Sequence, residues 1–247
     1  TTNFWYMWAT MFAFEPWHSA VEFKRYLHRF MHEFERIDTL AGVDRTPYNQ
    51  YDSMVLPLEK WLKEQGVVFQ NSTKVIDIEF KKNSPQSSEQ IVSAFIVSSP
   101  KANATERLHV HEEDFVFFTP GSMTDSSRLG SMNKPADLVR NQTDGSFALW
   151  KTIAKNRPEL GRPENFCERV DESKWLSFTV TFKSPKFFQR IEAFSGNKPG
   201  TGALITLKDS NWLMSIVLAY QPHFLNQPAN VQVCWGYGLF ADREGNF

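Results

Sequence analysis

Phe4, Trp5, Tyr6, Trp8, Phe12 and Phe14 crowd the opening of the chain, and few folds can accommodate them. A helix carrying so many large rings shows apolar surface on more than one side, so it requires neighbours on several faces. The apolar stretch Phe4 to Phe14 is well short of the ~20 residues that a helical bilayer crossing takes. No membrane span is expected there. Aromatic residues make up 15% of all 247 positions, enough flat apolar surface to line a cavity wall as well as a core.

The remaining composition is that of a globular protein, 41% hydrophobic and 22% charged with only 12 Gly and 13 Pro. Lys and Arg number 27 against 28 Asp and Glu, a balance that gives no grip on a phosphate backbone, so nucleic acid is not expected as a partner. The two cysteines, Cys167 and Cys234, have no Cys-x-x-Cys companion. Neither a zinc cluster nor a disulfide framework is indicated, and a reducing cytoplasm suits them. The chain opens on Thr1 and enters the aromatic run with no polar lead-in, which reads as a piece of a longer protein.

Ser19 and Glu22 have capping-box spacing, and Phe23, Leu27, Phe30 and Phe34 recur at helical intervals, predicting a helix from about Ser19 to Arg36. Residues 38–53 read as a loop feeding a helix that ends before Gly66, with Pro57 in its first turn. Val67 to Phe69, and then Ile76, Ile78 and Phe80 alternating with polar residues, read as strands, as do Ile91 to Val97 and Leu108 to His111. Asp114 to Thr119 reads as a buried strand running into Pro120 and Gly121, a common place for a ligand. Helices are expected at Phe147 to Lys155 and Lys186 to Phe194. Strands are expected at Phe178 to Phe182, Leu204 to Leu207, Leu213 to Leu218 and Val231 to Tyr237. The class is mixed α/β with a substantial antiparallel sheet.

Gly-x-Gly-x-x-Gly, phosphate-binding-loop, Gly-x-Ser-x-Gly and His-Glu-x-x-His motifs are all absent from the sequence. His28 and His32 share a helical face without a third ligand in register, and His109 and His111 alternate along a strand, so no metal site is expected. Tyr26 lies at the edge of the apolar stripe beside Arg25 and Arg29, cations able to stabilise a phenolate. Its local alternative is an ordinary amphipathic tyrosine with a wetted hydroxyl. Gln50, in Tyr48-Asn49-Gln50-Tyr51-Asp52-Ser53, has an amide suited to a carboxylate or to loop backbone. His223, after Gln221-Pro222, suits either an anion or a plain strand end.

Five blocks together carry more. They are Asn3 to Phe14, Trp17-His18-Ser19, Tyr48 to Ser53, Gly121-Ser122-Met123-Thr124-Asp125-Ser126 and Lys208-Asp209-Ser210-Asn211-Trp212. In this order they resemble the oleate hydratase family, also called myosin-cross-reactive antigen, over essentially the whole chain. The resemblance implies bacterial FAD-dependent enzymes that add water across a cis double bond of oleic or similar unsaturated fatty acids without net redox. It also implies proteins about twice this length or more, with this stretch similar to their middle, and the Gly-rich nucleotide-binding start and C-terminal helical region outside it.

The same resemblance implies a division into a helical substrate-domain segment (1–66), part of a Rossmann-like FAD-binding domain (67–125), and a largely antiparallel substrate-binding sheet with packed helices (126–247). It carries the proton-donating tyrosine onto Tyr26 and the carboxylate-binding residues onto Gln50 and His223. The water-positioning glutamate maps to no residue here. Two further polar head-group positions fall on Val217 and Ala219, a departure that leaves Gln50 and His223 as the anchors. Gly121, Ser122, Met123 and Thr124 are expected to pass the flavin ring, and Val75 the adenine. Homodimers and peripheral membrane contact are further implications. Two other readings remain at this stage: a flavin oxidoreductase of the amine oxidase or desaturase type, and a non-catalytic fatty-acid-binding module.

Overall fold

The computed structural model describes residues 2–81, 89–99, 104–119, 127–137, 139, 146–169, 171–202 and 204–239. In chain order the elements are α1 (Asn3–Phe12), α2 (Ala20–Phe30), α3 (Leu56–Glu64), β1 (Lys74–Phe80), β2 (Val92–Ser99), β3 (Ala104–His109), α4 (Ser146–Ala154), α5 (Glu164–Cys167), β4 (Trp175–Phe182), α6 (Lys186–Ser195), β5 (Ile205–Leu207), β6 (Met214–Val217) and β7 (Gln232–Leu239). The mixed α/β class is as expected, and every strand pairing described is antiparallel. The chain divides into two compact units, one formed by Thr1–Val67 with Glu172–Phe247 and the other by Val68–Asp171.

In the first unit the aromatic opening forms α1, capped by the Thr2 hydroxyl, which accepts from Trp5 N. Trp8 is 1% exposed, and its ring meets Phe12 and Phe23 at 4.7 and 4.8 Å between centroids. Phe12 in turn meets Tyr26 and Phe30 at 5.0 and 4.9 Å. One apolar helix thus lies on the Phe23–Tyr26–Phe30 face of α2, each offset or edge-on pair adding about 0.5–1.5 kcal/mol beyond area burial.

Helix α2 starts as expected but tightens after Phe30 into a 3-10 segment, Met31–Arg36. The tightening serves Glu33, which is 1% exposed, pairs with Arg36 and accepts the backbone N–H of Gly42 at 3.1 Å. The capping box is not formed. Ser19 occupies the N-cap but its side chain makes no capping bond, and the Glu22 carboxylate is engaged one turn onward by Tyr26.

The four-stranded sheet of this unit runs β4-β7-β6-β5. Helix α6 covers it through a core of Phe188, Leu218 and Cys234, flanked by Phe182, Phe187 and Ile216. Gly236 in β7 has no room for a side chain, because a Cβ there would meet the Phe178 ring and the Ser215 carbonyl. Polar groups lock α1 to the same sheet. Tyr237 OH donates to the Thr10 carbonyl, Thr206 Oγ1 reaches Thr10 Oγ1 at 3.3 Å and pairs with Ser215 Oγ at 2.9 Å. Thr10 and Ser215 are essentially inaccessible to solvent, so each of these bonds replaces a costly buried orphan.

The second unit holds a three-stranded sheet in the order β1-β2-β3, with α4 against β1 and Arg157 over the Phe80 ring at 4.4 Å. Two strand expectations fail. Val67 to Phe69 is irregular, and Asp114 to Thr119 joins no strand ladder among the described residues. Phe115 and Phe117 are 90% and 92% exposed there. A strand is held by its ladder, and alternating hydrophobicity alone does not supply a neighbour.

Candidate functional site

Tyr26 is placed by both helices of the opening. Its ring stacks on Phe12 at 5.0 Å with an interplanar angle of 11°, and its hydroxyl donates to Glu22 Oε1 at 3.0 Å, since i and i+4 share a helix face. Burial, followed by the hydrogen bond and charge of Glu22, holds the phenol above its ordinary acidity range, while Arg25 and Arg29 pull the other way. The arginines named from sequence are therefore outweighed by Glu22, which sequence reading had assigned only to the helix cap.

Gln50 and His223 are brought into neighbouring loops. Asn49 N donates to the His223 carbonyl at 2.8 Å and Asn49 Nδ2 to the same oxygen at 3.0 Å. Asn49 Nδ2 also donates to Asp52 Oδ2 at 2.7 Å, Asp52 N returns a bond to Asn49 Oδ1, and Leu225 N donates to Asp52 Oδ2 at 2.9 Å. The Gln50 side chain, next to this clasp, is exposed and makes no hydrogen bond among the described residues. The other wall is equally fixed. Gln221 bridges Ala219 and Val233, and Gln227 accepts from His223 N at 2.9 Å while donating to Gln221 Oε1 and the Val231 carbonyl.

Burial lowers the His223 pKa and the Asp52 carboxylate opposes it. A half-buried neutral imidazole beside a free amide can donate hydrogen bonds to an anion without first placing a charge in the loop. Arg45, whose guanidinium donates to the Gly200 and Gly202 carbonyls, steadies the chain entering the Tyr48–Ser53 segment. Asn49, Asp52 and Gln227 were missed because each looks in sequence like an ordinary loop residue. Their partners lie far along the chain or depend on the turn between them.

No hydrogen bond or ring contact among the described residues joins Tyr26 to either loop. Val75 is half-buried in β1 opposite Val97, and the register slips between Val75 and Asp77, leaving Ile76 without a partner across the ladder. Gly121, Ser122, Met123 and Thr124 lie outside the described residues. A polar cavity of about 390 Å³ in the second unit is lined by residues including Asp77, Glu79, Ser93, Lys155 and Arg157, and by none of the expected site residues. Among the described residues no group of three or more His, Cys, Asp or Glu is arranged to hold a metal ion.

Residues 1–247 match the MCRA family model, and the chain belongs to that family. It is 40% identical over 255 aligned residues to the linoleate hydratase of Lactiplantibacillus plantarum, with all of this chain covered and 44% of that protein. It is 37% identical over 252 residues to the oleate hydratase of Streptococcus pyogenes serotype M49 (strain NZ131), again over the whole chain and 42% of the relative. The chain thus spans less than half the length of either hydratase.

Proposed function

We propose that this chain is the central part of a fatty-acid hydratase that adds water across the cis double bond of an unsaturated fatty acid such as oleic acid. The observation that carries the reading is the match along the whole chain to two proteins named linoleate hydratase and oleate hydratase. Tyr26 is the proton donor: its O–H bond breaks as the alkene forms a C–H bond, and water captures the developing cation. Phe12 and the other rings around Tyr26 supply the apolar wall an acyl chain needs. Gln50 and His223 hold the substrate carboxylate, and the Asn49–Asp52 clasp keeps them in neighbouring loops. Val217 and Ala219 add no side-chain donor to that anchor.

FAD is the cofactor in this reading. Val75, at the irregularity of the β1 ladder, and the Gly121–Thr124 segment would hold it. When bound, the flavin supplies electrostatic support near the developing positive charge without net redox turnover. In this reading residues 67–125 form the flavin-binding part, and residues 1–66 and 126–247 the substrate-binding part. Homodimers and peripheral membrane contact belong to the same proposal. No helix among the described residues is long and apolar enough to cross a membrane.

The test is to incubate the complete protein with oleic acid and FAD under reducing conditions and analyse products by mass spectrometry. The expected product has gained one water, and Tyr26→Phe abolishes it. Redox turnover without hydration, or acyl binding without conversion, would overturn the proposal in favour of an oxidoreductase or a lipid-binding module.

A further inference from the structure

Glu22 and Tyr26 form a pair defined on two sides. Phe12, stacked flat against the phenol, fixes the plane of the ring, and Glu22 Oε1, 3.0 Å from the hydroxyl, fixes the torsion of the O–H bond. A turn earlier stands His18, which lies within electrostatic range of Glu22. Its Nδ1 accepts the Glu15 backbone N–H at 3.2 Å, so the neutral ring carries its proton on Nε2. Helix α1, packed against this face, contributes no charged residue and only Tyr6 as a titratable one.

We infer that Glu22 is a positioning residue for the proton-donating phenol: its carboxylate sets where the Tyr26 proton points and opposes the negative charge left when that proton departs. The inference rests on Tyr26 being the donor, as proposed above. In the transfer the Tyr26 O–H bond breaks, the alkene electron pair takes the proton, and the proton later lost by the attacking water restores the phenol. With Glu22 ionised, the transient phenolate faces a carboxylate at hydrogen-bonding distance, a repulsion that Arg25 and Arg29 only partly offset. With Glu22 neutral, the acid O–H turns and donates to the phenolate. A charged carboxylate at that distance therefore slows departure of the Tyr26 proton relative to a neutral group of the same shape.

The experiment compares wild type, Glu22→Gln and Glu22→Ala in the complete flavin-loaded enzyme. Ultraviolet difference titration against the matching Tyr26→Phe background isolates the Tyr26 phenol. Its midpoint is expected to fall by about one unit in Glu22→Gln, because the amide keeps the hydrogen bond but removes the charge. With oleic acid, Glu22→Gln is expected to turn over about three- to tenfold faster than wild type at neutral pH, with KM within about twofold. Glu22→Ala, which cannot direct the hydroxyl, is expected to be slower than Glu22→Gln.

An unmoved phenol midpoint in Glu22→Gln would overturn the inference. So would a kcat reduced about tenfold or more at every pH, which would make the carboxylate itself a proton carrier. The titration reports on Glu22 whether or not Tyr26 is catalytic, whereas full hydration by Tyr26→Phe would sink the donor assignment, so the two failures are distinguishable.

Discussion

Replacing Asn49 with Ala removes three side-chain hydrogen bonds at once: those to the His223 carbonyl, to Asp52 Oδ2 and from Asp52 N. The backbone bond from Asn49 N to His223 survives, and so does the bond from Leu225 N to Asp52, while the part-buried Asp52 N–H loses its side-chain acceptor. At about 1 kcal/mol net for each bond between part-buried groups, the clasp loses about 2–3 kcal/mol. Local opening then rises about 30- to 150-fold. Native-state hydrogen exchange reads this at the amides of Asp52 and Leu225, which should lose protection by that factor while β7 keeps its own. The same variant should bind oleic acid more weakly, since Gln50 and His223 no longer share a fixed frame. Protection at Leu225 changed by less than about threefold would refute the reasoning, because the loops would then be held by something other than the asparagine.

Gly42→Ala places a methyl inside the Glu33 carboxylate; thermal unfolding should show a loss of about 1–3 kcal/mol as that buried group is displaced. Tyr237 is raised to about 12 by burial against an ordinary value of 10. Its neutral form is favoured by folding, so the contribution is intact below pH ~10 and drains away as pH rises through ~12. Tyr237→Phe should cost about 1 kcal/mol at neutral pH yet escape an alkaline loss of about 2–3 kcal/mol, as measured by denaturant unfolding across that range. Asp52→Asn removes the one carboxylate that opposes burial at His223, so NMR titration should find the imidazole still lower than in wild type. Because folding favours neutral His223, that group's contribution is present above its unfolded value near 6.5 and is lost as pH falls through the folded one.

Elements whose cause is local were legible in the sequence. The stripe Phe23, Leu27, Phe30 and Phe34 announced α2, and alternation announced β1, β2 and the β5–β7 strands to within a few residues. Where the cause lay elsewhere in the chain, pattern reading misled. Asp114 to Thr119 has the alternation of a buried strand, but no ladder forms there among the described residues. Ser19 and Glu22 have the spacing of a capping box, yet Glu22 has a better partner in Tyr26. At the candidate site, Tyr26, Gln50 and His223 are nominated by resemblance, whereas the clasp between the loops of the last two depends on contacts more than 170 residues apart. No window of local sequence contains such a pairing.

The hydroxyls of Thr10, Thr206, Ser215 and Tyr237 lend the opening helix a property that ring packing cannot supply. Greasy contacts are forgiving, so a cylinder covered in aromatic rings can roll or slide against its neighbours at little cost. A threonine keyed into directional bonds on a strand stops that rolling. Phe12 lies two residues beyond Thr10, so the angle at which it meets the phenol is indexed, through a few oxygen atoms, to the strands β5, β6 and β7.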